Sequence, residues 1–236
     1  MRRRTEWRAA ILLLCLACKP APPAKPAVVA GPTVRATVVT IRTAVEPSKK
    51  TYAHDLVIAG DLARSTDEND TWRLFDTKRN RVTFIDDVAK TFRTEAVDEI
   101  LKKRKAAMRA PLPAHIPRAQ FSSTNDVKVI QGVQSTRFIV KVGEYQRDLW
   151  IGEHQLIPTK LFAMMQVTDT PSTPLAPMMH DADEALTVIR GFPLAEHAEL
   201  PYGKSKMVLQ RDVTSIVAKD VPKALVSIPD GYREIR

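Results

Sequence analysis

The sequence has little cysteine, little glycine and no long apolar run. Its only two cysteines, Cys15 and Cys18, lie within the first 18 residues of the 236-residue chain, so the rest of the protein cannot contain a disulfide framework, a thiolate nucleophile or a cysteine metal site. Its eight glycines form no Gly-rich phosphate-binding loop, which disfavours nucleotide binding. The first apolar run covers residues 9–16, whereas a membrane-spanning helix needs about 20 apolar residues.

The composition indicates a globular protein with a moderate positive charge. Apolar residues make up 44% and charged residues 27% of the chain, which disfavours both wholesale disorder and a multi-span membrane protein. The formal net charge is +9, partly because of four arginines near the amino terminus. Such an excess suits anionic lipid head groups or other envelope polymers, and solubility alone would also explain it. We expect no nucleic-acid partner.

The amino terminus has the three regions of a secretory signal. Residues 1–8 are basic, residues 9–16 are apolar, and the small Ala17 precedes Cys18. Residues 14–18 (Leu-Cys-Leu-Ala-Cys) resemble the bacterial lipobox, in which the final cysteine is acylated. The resemblance implies a signal peptide over 1–17 and lipidation at Cys18; secretion with cleavage nearby is the alternative, because Cys15 stands where leucine is usual.

A proline- and alanine-rich stretch follows the proposed lipidation site. Its prolines favour an extended chain with nothing to bury, which predicts a tether over 18–35 and a single folded domain over 36–236. Lys19, rather than Asp, follows Cys18, and by resemblance to enterobacterial sorting this implies anchoring in the outer membrane, facing the periplasm.

The folded part is dominated by the two-residue period of half-buried strands. Turn signals at 77–80, 143–144 and 230–231 separate these segments at hairpin spacing, so we expect an antiparallel sheet. Amphipathic patterns predict helices over 97–108 and 175–190. The predicted strands include residues near 34–38, 52–58, 72–74, 82–85, 136–142, 146–151, 207–218 and 225–228.

Several short motifs lie along the folded part, at residues 60–64, 74–76, 85–92, 130–133, 148–151, 191–194 and 228–232. These motifs resemble those of periplasmic lipoproteins with the fold of the lipoprotein carrier LolA and its receptor LolB, and in particular those of an uncharacterised lipoprotein family of that kind. The resemblance implies an α+β fold, in which a strongly curved antiparallel sheet forms an open half-barrel covered by two or so helices around an apolar cavity.

The patterned apolar positions are candidates for lining such a cavity, although an ordinary filled core would use the same residues. The basic residues of the first predicted helix lie off its apolar stripe and could contact a membrane surface, although a solvated face would look the same. The candidate cavity residues are Leu56, Ile58, Phe84, Val140, Leu186 and Ile189, and the candidate membrane-surface residues are Lys102, Lys103, Arg104 and Lys105.

The sequence offers no set of catalytic or metal-binding residues. No Gly-x-Ser-x-Gly elbow is present, and His54, His154 and His197 are isolated. His180 and Glu184 could share a helix face but supply only half a metal site. Asp86 and Asp87 fit a turn better than a carboxylate pair. We therefore expect a protein that is not an enzyme and has no cofactor.

The function favoured by the sequence is that of a lipid-anchored envelope protein that binds a lipid or lipoprotein acyl chain in an apolar cavity. The alternative is a structural or interaction protein of the cell envelope with a filled core. The sequence does not indicate an oligomeric state.

Overall fold

The computed structural model describes residues 31–66, 70–107, 119–168, 186–187, 189–202 and 205–235. The described residues all belong to one compact unit. The predicted signal peptide, Cys18 and most of the tether lie outside the described residues. The first strand begins at Thr33, inside the stretch assigned to the tether.

The described part is built around one sheet of twelve strands, in the order β12-β6-β5-β4-β3-β2-β1-β11-β10-β9-β8-β7. Two runs of antiparallel strands that pair in sequence order, β1 to β6 and β7 to β11, join through the antiparallel pair β1–β11. The first run comprises β1 (Thr33–Glu46), β2 (Lys50–Ala59), β3 (Leu62–Thr66), β4 (Thr71–Asp76), β5 (Arg81–Asp86) and β6 (Thr91–Ala96). The second comprises β7 (Gln120–Ile130), β8 (Val133–Val142), β9 (Tyr145–Gly152), β10 (Phe192–Tyr202) and β11 (Ser205–Pro222), followed by the short β12 (Arg233–Glu234).

Two short α-helices accompany the sheet in the described part of the chain. The helix α1 (Val97–Ala107) continues directly from β6 and lies where the sequence predicts the first helix. The helix α2 (Leu161–Thr168) follows β9 and was not predicted. The second predicted helix, over 175–190, lies mostly outside the described residues. The predicted strand over 225–228 is wrong, because Lys223–Val226 form a 3₁₀ turn.

The expected α+β half-barrel, a strongly curved antiparallel sheet covered by helices in the manner of LolA, is wrong. The sheet has twelve strands, is open at β7 and β12, and is mixed, because β12 runs parallel to β6. A helix is about 10 Å wide and strands lie about 4.8 Å apart, so one helix covers about two strands. The two described helices, of 11 and 8 residues, therefore cannot cover this sheet.

Both faces of the first strand run are buried, in two separate apolar clusters. Alternate residues point to opposite faces: Leu56 and Ile58 enter the larger cluster, and Val57 enters the smaller one. The larger cluster, here the main core, also takes residues from α1, α2 and β8 to β11. The smaller cluster contains Ala36, Val38, Val57, Trp72, Leu74, Ile85, Val221 and Val226.

Candidate functional site

A pocket of about 630 Å³ opens where the ends of β8 and β9 meet the β7–β8 turn and the segment that leads into β10. This volume lies within the range of about 300 to 1,000 Å³ that is typical of small-molecule sites. Apolar side chains and a mostly polar rim surround it. The lining residues are Gly132, Val133, Gln134, Thr136, Phe138, Ile151, Gly152, Glu153, His154, Gln155 and Arg190.

Two glycines allow the strands around the pocket to approach closely. A Cβ atom at Gly152 would lie 2.7 Å from Val133 Cγ1 and 2.8 Å from the carbonyl oxygen of Gln134. Gly191 has φ +107°, and a Cβ there would lie 2.7 Å from the carbonyl oxygen of Gly152. No side chain fits at either position without displacing its neighbours. The chain before Gly191, including Arg190, is thereby held beside the end of β9.

An exposed apolar strip continues from the pocket along β7. Phe121 is opposite Val140, Val127 is opposite Thr136, and Val129 is opposite Gln134 in the β7–β8 ladder. Directly opposed residues point to the same face. Because Val140 is fully buried in the main core, the strip lies on the core side of the sheet.

The members of this strip are unusually exposed for apolar strand residues. The exposed fraction is 38% for Phe121, 54% for Val127 and 70% for Val129. Phe121 stacks on Phe138, which lines the pocket, with ring centroids 5.7 Å apart. We call Phe121, Val127, Val129 and Phe138 the β7 strip. It joins the pocket to the open edge of the sheet.

Three polar residues at the pocket rim have groups available for a ligand. Glu153 and Arg190 are exposed, and in the described part of the chain neither makes an ion pair. The Nδ1 atom of His154 accepts a hydrogen bond from the backbone N–H of Leu156 at 3.2 Å. In the neutral ring this places the proton on Nε2, which can then donate.

The six predicted cavity residues lie together, but away from this pocket. Leu56, Ile58, Val140 and Leu186 are buried in the main core, and Phe84 and Ile189 pack against it. None of the six lines the pocket. Their role in lining a cavity stays a prediction.

The predicted membrane-surface residues have different environments. Lys102 and Lys103 are exposed, and Lys103 Nζ lies 2.6 Å from a carboxylate oxygen of Glu95. Arg104 is only half-exposed; it donates hydrogen bonds to the backbone carbonyls of Gln166 (3.0 Å) and Val167 (2.8 Å) at the end of α2. The side chain of Lys105 lies outside the described part. Contact of this helix with a membrane stays a prediction.

A buried ionic network lies beneath α2, and no local pattern of the sequence predicts it. Arg147 Nε donates to Glu196 Oε1 at 2.8 Å, and another of its nitrogens donates to Gln166 Oε1 at 2.9 Å. Arg211 donates to the other oxygen of Glu196 at 3.4 Å. Burial by itself would raise the pKa of Glu196, but Arg147 and Arg211 outweigh it and hold that pKa below the usual value. The network fixes α2 to β9, β10 and β11.

Asp86 and Asp87 serve local structure, as the sequence indicates. Asp86 Oδ1 accepts the backbone N–H groups of Val88 (2.9 Å) and Ala89 (2.7 Å), which closes the β5–β6 turn. Asp87 Oδ1 accepts hydrogen bonds from Trp72 Nε1 at 3.0 Å and Tyr232 Oη at 2.9 Å. These bonds attach the carboxyl-terminal segment to the sheet.

The other candidates from the sequence do not converge on one site. His54 and His197 lie on β2 and β10, and His197 Nε2 is 3.5 Å from Glu199. His180 and Glu184 lie outside the described residues. Across the described ranges, no three His, Cys, Asp or Glu side chains are grouped to hold a metal ion. Within the same ranges, no helix combines the length and apolar character needed to cross a membrane.

Sequence reasoning missed the pocket because its residues come from three separate segments. The ladders place Gly152 opposite both Ser135 and Phe192, and only this pairing brings Arg190 close to His154. No local signal in the sequence marks the pocket: Gly152 and Gly191 each stand beside a charged residue, but so do most of the other glycines, such as Gly60 and Gly143.

Comparison with known proteins shows neither a family nor a function. No protein-family model and no curated protein matches the chain. Two solved structures of PNGF-II, in space groups C2 and P21, are 13% identical, cover 85% and 86% of this chain, and have TM-scores of 0.46 and 0.44. The chain spans only 30% and 31% of their length. An uncharacterized conserved protein from Thermus thermophilus is 8% identical, with 86% of this chain and 90% of that chain covered and a TM-score of 0.41.

Proposed function

We propose that this protein is an exported, lipid-anchored binding module of the bacterial cell envelope that holds an acyl chain against the β7 strip and in the adjoining pocket. The observation that carries the proposal is the continuity between the two surfaces. Val127 and Val129 lie opposite pocket-lining residues, and Phe121 stacks on pocket-lining Phe138. The protein acts by binding and not by catalysis.

Physical chemistry supports an apolar ligand for this surface. Exposed valines and phenylalanines that adjoin one another along a strand leave apolar area in water, at a cost of about 25 cal/mol for each Å². An acyl chain laid along the strip would remove this area from water and extend into the pocket. At its Val129 end, the strip adjoins the polar rim of the pocket. This arrangement suits a ligand with one apolar and one polar end.

The leader provides the second line of support. Residues 14–18 resemble a lipobox, and an acylated Cys18 would hold the domain close to a membrane that supplies acyl chains. Two or three acyl chains on one cysteine anchor durably, since each buried methylene contributes about 0.8 kcal/mol. The sorting resemblance at Lys19 favours the periplasmic face of the outer membrane.

Displacement of a fluorescent acyl probe tests the proposal. We expect the purified protein to bind dansyl-labelled undecanoate and to release it when dodecanoate is added. Val127→Asp and Val129→Asp should each weaken binding by about tenfold, because each places a charge on the strip. Val217→Asp is the matched control: Val217 is 50% exposed on β11, opposite Val38 of the smaller cluster and therefore on the other face of the sheet.

The outcomes separate two functions. Loss of binding with both strip variants and retention with Val217→Asp would support acyl binding on the β7 strip. Failure of the parent protein to bind the probe would reject it. The second candidate, a structural or interaction protein of the envelope, is favoured by the burial of Leu56, Ile58 and Val140 in the main core and by the open edge at β7.

A further inference from the structure

The pocket rim carries one unpaired positive charge and one unpaired negative charge. Glu153 directly follows Gly152 at the end of β9, and Arg190 directly precedes Gly191. The close contact between Gly152 and Gly191 fixes these two backbone positions beside each other. In the described structure the two side chains do not pair, either with each other or with any other ionic group. Charges of both signs are therefore available at one pocket mouth.

We propose that this mouth selects a zwitterionic head group, and the inference rests on the acyl-binding function proposed above. The guanidinium of Arg190 donates to the phosphate or carboxylate of the head group, and the carboxylate of Glu153 accepts hydrogen bonds from its ammonium. Arginine presents a planar fork of donors that matches the oxygens of such anions. The ligand class is an amphiphile with one acyl chain and a phosphoethanolamine-like head.

His154 strengthens the anion side of this arrangement. The bond from the backbone N–H of Leu156 occupies its Nδ1 atom. In the neutral ring, Nε2–H is left as a donor on a residue that lines the same pocket. Two donors then serve the anionic group, and Glu153 serves the cationic group.

Head groups with other charges fit the rim less well. A purely anionic head group would be repelled by Glu153, and a purely cationic one would be repelled by Arg190. A neutral head group would cover both charged side chains without pairing with either. The two charges would then lose hydration and form no ion pair in exchange. The selection therefore comes from rejecting these competitors as well as from attracting the zwitterion.

The test compares three lipids that share one acyl chain and differ only in the head group. Binding of lysophosphatidylethanolamine, lysophosphatidylglycerol and monoacylglycerol to the full-length chain is measured by calorimetric titration below their micelle concentrations. We expect the zwitterionic lipid to bind about fivefold more tightly than either of the others, because exposed ion pairs contribute little each and this lipid forms two of them.

Two substitutions assign the preference to the rim. Arg190→Gln should weaken binding of the zwitterionic and the anionic lipid but not that of the neutral lipid. Glu153→Gln should weaken binding of the zwitterionic lipid and strengthen that of the anionic one. Arg42→Gln and Glu144→Gln, which change exposed residues of β1 and of the β8–β9 turn, should leave the order of affinities as it is.

The two kinds of failure are distinguishable. Equal affinity for the three lipids, or an order of affinities that neither rim substitution changes, would overturn the head-group inference and leave acyl binding intact. Binding of none of the three would overturn the acyl-binding function, and the inference with it.

Discussion

At the scale of single residues, Glu196 and Arg147 are charges that the fold buries and must therefore pair. Both side chains are less than a tenth exposed, and Arg211 and Gln166 make further hydrogen bonds with them. A buried charge without a partner loses its hydration and gains nothing in return. The pair consequently makes the position of α2 depend on three strands that are distant in sequence.

Glu196→Gln should destabilise the protein strongly. The substitution keeps the shape of the side chain but removes the negative charge that faces the buried guanidinium of Arg147, and breaking a buried ion pair typically costs about 3 to 5 kcal/mol. We expect this loss in the free energy of unfolding measured with urea. Glu199→Gln is the matched control, since Glu199 lies on the same strand but is more exposed and pairs only with solvent-exposed groups. Equal losses in the two variants would contradict the assigned role.

The lowered pKa of Glu196 also predicts how stability depends on pH. In the folded state Arg147 and Arg211 hold this pKa below the ordinary carboxylate value, despite burial. The carboxylate therefore contributes stability that is fully present above the pKa of the unfolded chain and is lost as the pH falls through the folded-state pKa. Urea titrations at decreasing pH should show a loss of stability in the parent protein that is smaller in Glu196→Gln; parallel profiles would refute the assignment.

At the scale of elements, β7 is an edge strand with features that hinder pairing with another chain. Among the described strands it pairs only with β8. Asp126 and Lys128 carry charges along it: Asp126 pairs with Arg137 at 3.2 Å, and Lys128 Nζ lies 4.9 Å from the centroid of the Trp150 ring. The register shifts between Ser123 and Val127, and such irregularity interrupts a ladder that an added strand would need.

Replacing both charges, in Asp126→Val with Lys128→Val, should cause self-association. The edge would then present unpaired backbone groups beside apolar side chains, which is the pattern of an aggregation-prone strand. Sedimentation and light scattering should show higher oligomers than for the parent protein. The matched control is Arg42→Val with Asp212→Val, which removes two opposed charges at a place where β1 and β11 are each paired on both sides. Association of the control to the same extent would rule out the open edge as the cause.

At the scale of the whole molecule, the proposed function depends on attachment of the domain to a membrane through Cys18. Cys18→Ser should move the protein from the membrane fraction to the soluble fraction, because the serine hydroxyl cannot take the thioether-linked lipid. Cys15→Ser is the matched control and should leave the protein in the membrane fraction. Fractionation followed by mass spectrometry of the amino terminus measures both effects. Retention of Cys18→Ser in the membrane would reject lipid anchoring at this residue.

Local patterns predicted many elements but not their assembly. The alternation of apolar and polar residues located strands such as β1, β4, β5 and β8, and the stripe of Val97, Ile100 and Leu101 located α1. A strand was predicted over 225–228, where Lys223–Val226 form a 3₁₀ turn. A short apolar run occurs in both strands and helical turns, and periodicity does not distinguish the two. The half-barrel was wrong because periodicity gives the face of a strand but neither the number of its neighbours nor the extent of helical cover.

The sequence by itself determined which positions are apolar, where the chain turns and where the cysteines lie, because these follow from residue type and from spacing along the chain. Tertiary structure alone decided that Gly152, His154 and Arg190 share a pocket, that Arg147 meets Glu196, and that Arg104 binds the end of α2 rather than lying fully exposed. The physical reason is that these contacts depend on the pairing of distant strands. That pairing is set by the burial of the whole sheet and not by any local segment.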